Sequence, residues 1–367
     1  MPLGLSRGTR LLAVVPHPDD ESLALGGLLS RAASVGADFR IIYLTSGDNN
    51  PWPQRALERR WRIGAQDRVR WGQRRQAEAL AALGLLGVPS EKVVFLGYPD
   101  QGLTRLLMQG DEAPVERLTE VLDAWRPTLL AAPCLSDIHP DHSAAAVFVR
   151  QAMAATRTEN APRWIEYLVH SRKGSFQPFQ GLCLPLSQEQ RNTKRAAISC
   201  HRTQTLLQKR KLFSFSRGDE RFAPVSGNSE PHHPVLDFHW HDGILHLGLT
   251  PTPSPGACGP ITLCIAGNRQ GQASMRSAIR LPSFPGGKFV ELMDSRNSER
   301  LGRARFYGNR RRATVVFEDV DLGHVDQLFA KVKRSFGFFD EAGWGALSVP
   351  DVLDAEIPAG LRVVGSP

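Results

Sequence analysis

The sequence predicts an α/β fold, a doubly wound and mostly parallel sheet, followed by a smaller β-rich region. Three observations carry that prediction. From Leu11 to about His170, short apolar runs alternate with longer helical patterns, the rhythm of repeated βα units around a parallel sheet. From about Phe213 onward Gly, Pro and Ser become frequent and short alternating runs appear, as in Ile244-Leu245-His246-Leu247-Gly248-Leu249, the pattern of half-buried strands. With 367 residues the chain also exceeds the usual size of one domain, so a large unit with a smaller companion is expected. The expected division is residues 1–212 and 213–367.

Taken in order, the first strand is Leu11 to Val15, and the helix after it runs from about Glu21 to Ser34, stopping before Gly36. Strands then follow at Phe39 to Thr45, Val93 to Leu96, Thr128 to Pro133 and Ile165 to Val169, all rich in β-branched or other apolar residues. Apolar spacing between bordering Pro or Gly predicts helices at about Arg55 to Leu86, Val115 to Trp125, Ser143 to Thr156 and Ser187 to Gln208. These helices cover both faces of a Rossmann-like sheet. Beyond residue 213, Ile261 to Ile265, Phe289 to Leu292 and Ala313 to Phe317 read as further strands. No internal repeat and no low-complexity tract is seen.

Composition narrows the function classes. The 41% hydrophobic and 22% charged residues match an ordinary globular protein. No run of about 18 uncharged apolar residues occurs, so no transmembrane helix is expected, and the first residues do not form a secretory signal. A cytoplasmic location is the resulting expectation, with peripheral membrane contact left open. The five cysteines are odd in number and include no CxxC pair, which argues against a disulfide framework or a thiolate zinc site and for plain buried thiols. A net charge of +8 sets the sign of a partner without choosing one.

Ligands of an open parallel sheet bind beyond the carboxyl ends of its strands. Two polar clusters stand there: Pro16-His17-Pro18-Asp19-Asp20-Glu21 after strand one, and Ser136-Asp137-Ile138-His139-Pro140-Asp141-His142 after strand four. Catalytic zinc takes three ligands from His, Asp or Glu and leaves a position for water. Two histidines and a carboxylate can be drawn from these loops, with a second carboxylate left for proton transfer and a spare histidine to act on the reacting amide. Either cluster alone reads equally well as a turn or a capped helix start. Two of them at one sheet edge concentrate like charges that a cation would offset.

With these residues in view, the chain resembles the LmbE-like (PIG-L) N-acetylglucosamine deacetylase family. The resemblance extends through Thr45-Ser46-Gly47-Asp48, Arg75 and Glu78, Phe95-Leu96-Gly97-Tyr98-Pro99-Asp100, and Lys194-Arg195-Ala196-Ala197 with Gln204. It covers roughly the first 210 residues. It implies zinc ligands at His17, Asp20 and His142, a general base at Asp19, and an assisting histidine at His139 oriented by Asp141. Arg75 matches a position associated with holding substrate. Some relatives place an oxyanion tyrosine before the second cluster, and Pro133-Cys134-Leu135-Ser136-Asp137 contains none. The role of His201 is left open.

Other features stay two-sided. Asp48 and Asp100 follow strands two and three, where they bind sugar hydroxyls or cap turns. The arginines from Arg55 to Arg75, interleaved with Trp52, Trp61 and Trp71, read as a solvated helix face or as a contact for an anionic sugar. Pro231-His232-His233-Pro234 and His239-Trp240-His241 offer a second metal only weakly, and Asn309-Arg310-Arg311-Arg312 reads as a solvated turn. The case for a nucleic acid is weak. The expected function is therefore a zinc-dependent N-deacetylase, an amidohydrolase acting on an N-acetylated amino sugar, neutral or anionic; the alternative is a catalytically inert glycan-binding or scaffolding protein. Oligomeric state is not legible.

Overall fold

The computed structural model describes residues 3–157, 160–171, 181–225, 234–252, 258–281, 288–309, 311–320, 322, 325–336 and 338–349. His232, His233 and Arg310 lie outside these residues. The chain opens with β1 (Arg10–Val15), α1 (Asp20–Ala24), α2 (Gly26–Ser34), β2 (Asp38–Thr45), α3 (Pro51–Glu58), α4 (Ala65–Leu85), β3 (Val93–Tyr98) and α5 (Leu103–Gln109). Next come α6 (Ala113–Trp125), β4 (Leu129–Pro133), α7 (Pro140–Ala155), β5 (Arg163–Tyr167), β6 (Leu182–Leu184), α8 (Gln188–Cys200), α9 (Arg202–Ser214) and β7 (Glu220–Pro224). The remaining elements are strands: β8 (Val235–His241), β9 (Ile244–Leu249), β10 (Cys258–Arg269), β11 (Gln272–Arg280), β12 (Lys288–Met293), β13 (Arg300–Gly308), β14 (Ala313–Glu318), β15 (Gln327–Phe336) and β16 (Gly345–Leu347).

The first seven strands form one sheet in the order β3-β2-β1-β4-β5-β7-β6. β1 to β5 are parallel, while β7 adds antiparallel to β5 and β6 antiparallel to β7. This is a mixed α/β fold with a mostly parallel central sheet. Alternation along its strands splits the core: Leu11, Ala13 and Val15 join α2, α4 and α8, whereas Leu12 and Val14 join α5, α6 and α7. Because strand order reverses between β1 and β4, the loops leaving these two neighbours open into one crevice. That reversal brings the two polar clusters together.

The later strands make two antiparallel sheets, β11-β10-β15-β16 and β12-β13-β14-β9-β8. In β10, Cys264 and Ala266 belong to the core beneath α5 to α7, while Leu263 and Ile265 face the five-stranded sheet. The four-stranded sheet is therefore buried on both faces. β7, which follows residue 212, is part of the first sheet.

Several expected elements are interrupted. The single helix expected from Arg55 to Leu86 is two, because Arg59 closes α3 in the left-handed region at φ 51°. The helix restarts at Gly64, whose N–H donates to the Asp67 carboxylate at 3.0 Å. The helix expected from Ser187 to Gln208 breaks at His201, whose ψ of 63° is not helical. The fifth strand ends at Tyr167 rather than Val169. Among the described cysteine side chains, Cys134 and Cys264 are buried, Cys200 is half-buried and Cys183 is exposed, so fewer are core thiols than composition suggested. No described helix is long and apolar enough to cross a membrane.

Candidate metal centre

Beyond β1 the chain turns sharply into α1, with Asp19 at φ 147°, outside the range most L-residues adopt. The buried Arg75 of α4 holds this turn by donating to Pro18 O at 2.7 Å and Gly47 O at 2.8 Å, and its guanidinium lies 3.2 Å from Asp19 Oδ1. The Asp19 N–H donates to Glu21 Oε2 at 2.9 Å. Beyond β4, Asp137 organises the second loop. Its Oδ1 accepts from the His139 N–H at 2.9 Å, and its Oδ2 accepts from the N–H groups of Val169 and His170 at 3.1 Å each. His139 then caps α7, whose first turn carries Asp141 and His142.

Three donor atoms converge between the loops. His17 Nδ1 lies 3.2 Å from Asp20 Oδ2 and 3.2 Å from His142 Nε2, and His142 Nε2 lies 3.1 Å from Asp20 Oδ2. Ligands about 2.0–2.2 Å from a tetrahedral zinc stand roughly 3.3 Å or slightly more apart, so these atoms form a face fit for one such ion. Carboxylates hold the far side of each ring. His17 Nε2 lies 3.3 Å from both Asp100 Oδ1 and Asp141 Oδ2, and His142 Nδ1 lies 3.0 Å from Asp137 Oδ2. An N–H donated on those sides leaves a lone pair at each converging nitrogen. Other donor trios lie within 4.8 Å, namely His17/His139/His142, Asp20/His142/His170 and His17/Asp100/Asp141. In these, His139 Nδ1 already accepts the Asp141 N–H at 3.2 Å, and Asp100 and Asp141 face the far nitrogen of His17.

The electrostatics favour a cation at the convergence. Burial works against a charged imidazole at His142, yet Asp20 and Asp137 carry it up to about 9. Asp100 and Asp141 likewise outweigh burial at His17 and raise it well above its ordinary value. Burial and the neighbouring imidazoles push His139 the other way, well below the ordinary value, so it is neutral. Burial pushes the Asp19 carboxyl up to about 6, against the pull of Arg75.

His17, Asp19, Asp20, Arg75, Asp100 and His139 line one cavity of about 420 Å³. Asp141 and His142 stand directly behind it, fully buried. Asp48 is not among the lining residues. The expectation that the Asp141 carboxylate orients His139 is corrected. Its oxygens accept from the Gln101 N–H at 2.6 Å and the Leu103 N–H at 3.0 Å and face His17, so only the Asp141 backbone N–H reaches His139. Arg75, expected at the substrate, has protein acceptors at both terminal nitrogens. The open question of His201 also has an answer: its Nε2 meets Glu21 Oε1 at 2.8 Å and Ser22 Oγ at 3.1 Å behind α1.

Residues that sequence reasoning missed include Asp137, His170, Phe338 and Phe339. Asp137 stood inside the second cluster, and His170 follows β5 at the same sheet edge; both positions carried a signal. Phe338 and Phe339 carried none, being nearly 200 residues beyond that cluster in sequence. In the arginine stretch, Trp52 and Arg75 line the cavity, Arg55 lies between the Trp52 and Trp61 rings at 5.0 and 5.1 Å, and Trp71 is fully buried. The His239 and His246 rings stack at 4.7 Å, but no donor trio forms there among the described residues.

Fold and site thus define an α/β protein with a buried His/Asp cluster able to hold a metal at the carboxyl edge of its sheet. Residues 12–153 match the family described as GlcNAc-PI de-N-acetylase (PIG-L), and this stretch of the chain is a domain of that family. The chain is 33% identical over 152 residues to the 1D-myo-inositol 2-acetamido-2-deoxy-alpha-D-glucopyranoside deacetylase of Mycobacteroides abscessus, covering 36% of this chain and 51% of that protein. It is 28% identical over 189 residues to the protein of the same description from Gordonia bronchialis, covering 44% and 64%. The chain spans about half the length of the curated relatives it matches. Among solved structures it is similar to the N,N'-diacetylchitobiose deacetylase of Pyrococcus horikoshii, with 18% identity, a TM-score of 0.47, and coverage of 59% of this chain and 84% of that one.

Proposed function

We propose that the chain is a zinc-dependent N-deacetylase that hydrolyses the acetamide of an N-acetylated amino sugar in a glycoconjugate, glycolipid or related small molecule. The observation that carries this reading is the triangle of His17 Nδ1, Asp20 Oδ2 and His142 Nε2, with a carboxylate behind each ring. The PIG-L domain and the deacetylases among the relatives support it. In this reading residues 1–212 supply the reacting groups and the described strands beyond residue 212 complete the scaffold.

His17, Asp20 and His142 would hold the zinc, which when bound would supply Lewis acidity to water and to the acetamide carbonyl. Asp19 takes the proton of the attacking water and passes it to the amine nitrogen as the C–N bond breaks, its buried carboxyl being tuned towards neutrality. His139 acts on the carbonyl oxygen. Because its Nδ1 accepts the Asp141 N–H, the neutral ring carries its proton on Nε2. That N–H donates to the oxygen as negative charge develops, the task a tyrosine performs in some relatives. Arg75 holds Asp19 in place, while Asp100 and Asp141 keep His17 aimed.

The test is amine release from N-acetylated sugars, nucleotide sugars, glycolipids and glycans, with and without a chelator. Release should require the metal, and Asp19→Ala should lower kcat by about 10²–10⁴-fold while zinc content stays near one per chain. Absence of release from every class, or release indifferent to chelation, would sink the proposal.

A further inference from the structure

Ahead of β16, residues 338–344 reach back to the metal loops. Phe338 and Phe339 line the cavity. The Phe338 ring meets His139 edge-on at 5.0 Å, and Phe339 meets His139 at 5.8 Å and His170 at 5.2 Å. Both remain nearly half exposed, at 48% and 42%. Trp52, Leu212 and Phe215 line the same cavity. The space therefore has a floor of imidazoles and carboxylates beside an apolar wall, a mixture typical of small-molecule sites.

The wall is anchored rather than loose. The Asp340 N–H donates to Ile138 O at 3.0 Å, within the second metal loop. Asp340 also pairs with Lys331, which is buried and lies 3.4 Å from Ser143 Oγ of α7. Gly343 passes so near the same loop that a Cβ there would stand 1.8 Å from Leu135 O. Trp344 is buried in the core with α7. Two large side chains set on such supports present a fixed surface, and burying apolar area against a fixed surface loses little ordering entropy.

We propose that Phe338 and Phe339 are specificity-determining residues: they form a hydrophobic wall for an apolar group, aryl or acyl chain, attached to the acetamido sugar. This rests on the deacetylase reading of the site. A free acetamido sugar has hydroxyls around its ring and fills the polar floor without needing that wall; a substrate bearing an apolar substituent uses both.

The experiment compares N-acetylglucosamine with its phenyl and octyl glycosides on the zinc-loaded full chain. Wild type should prefer the glycosides by at least about tenfold in kcat/KM, mostly through KM. The double variant Phe338→Ala/Phe339→Ala should lose that preference, and Phe338→Leu/Phe339→Leu should restore most of it at unchanged thermal midpoint. Equal kcat/KM for free sugar and glycosides in wild type, or a preference surviving in the alanine variant, would overturn the proposal. Should wild type release no amine from any substrate, the deacetylase reading fails by itself, and the wall is then judged by calorimetric binding of the octyl glycoside. Binding at least about tenfold weaker in the alanine variant supports it, and equal binding overturns it.

Discussion

At the residue scale, each ring of the candidate centre has its tautomer set from behind. Asp137 is the clearest case, since one carboxylate serves the N–H groups of His139, Val169 and His170 as well as His142 Nδ1. Asp137→Asn keeps the shape but replaces one accepting oxygen with an NH₂ donor. Facing His142, that donor would favour the proton on Nε2, the nitrogen the metal needs bare. Zinc affinity is expected to fall about 10–100-fold, as read by competition with a chromophoric chelator; unchanged affinity would remove Asp137 from the centre. His17, Asp19, Asp20, His139 and His142 were legible because both clusters follow neighbouring strands. The work of Asp137 was not, because it depends on where β5 ends and turns its N–H groups. Asp141 misled for a similar reason. Its neighbour in sequence is His139, but its partner in space is His17, brought there by a different strand.

At the element scale, the start of β7 holds α2 in place. Glu220 accepts from the N–H groups of Gly27 at 2.6 Å and Leu28 at 2.7 Å and from the buried Lys194 at 2.6 Å. It satisfies the open end of one helix and a cation from another. Glu220→Ala leaves Lys194 uncompensated in the core and should cost about 3–5 kcal/mol by chemical denaturation. A loss below about 1 kcal/mol would place the pair among weak surface contacts. The parallel strands and most helices were legible from their apolar runs. β6 and β7 were not, since a three-residue strand and the polar Glu220-Arg221-Phe222-Ala223-Pro224 show no alternation of their own. The break between α3 and α4 was hidden too, because arginine favours helices and only its left-handed backbone at position 59 ends the run.

At the scale of the whole molecule, the layers are helices, parallel sheet, helices, four-stranded sheet and five-stranded sheet. The layer nearest the middle of the later strands was the least legible, because β10 reads as a half-buried strand and yet has an apolar partner on each side. Leu263 and Ile265 sit in one core and Cys264 and Ala266 in another. β10 is also bonded along both edges, to β11 and to β15. Its amides can meet solvent only when two cores and two ladders open together. In deuterium uptake, the amides of residues 262–266 should therefore be among the last to exchange, at a free energy close to that of global unfolding. Earlier exchange there than in β1 would mean that the later strands open as a separate unit. One of the slowest clocks in the molecule is thus expected in the sheet that holds the wall of the cavity still.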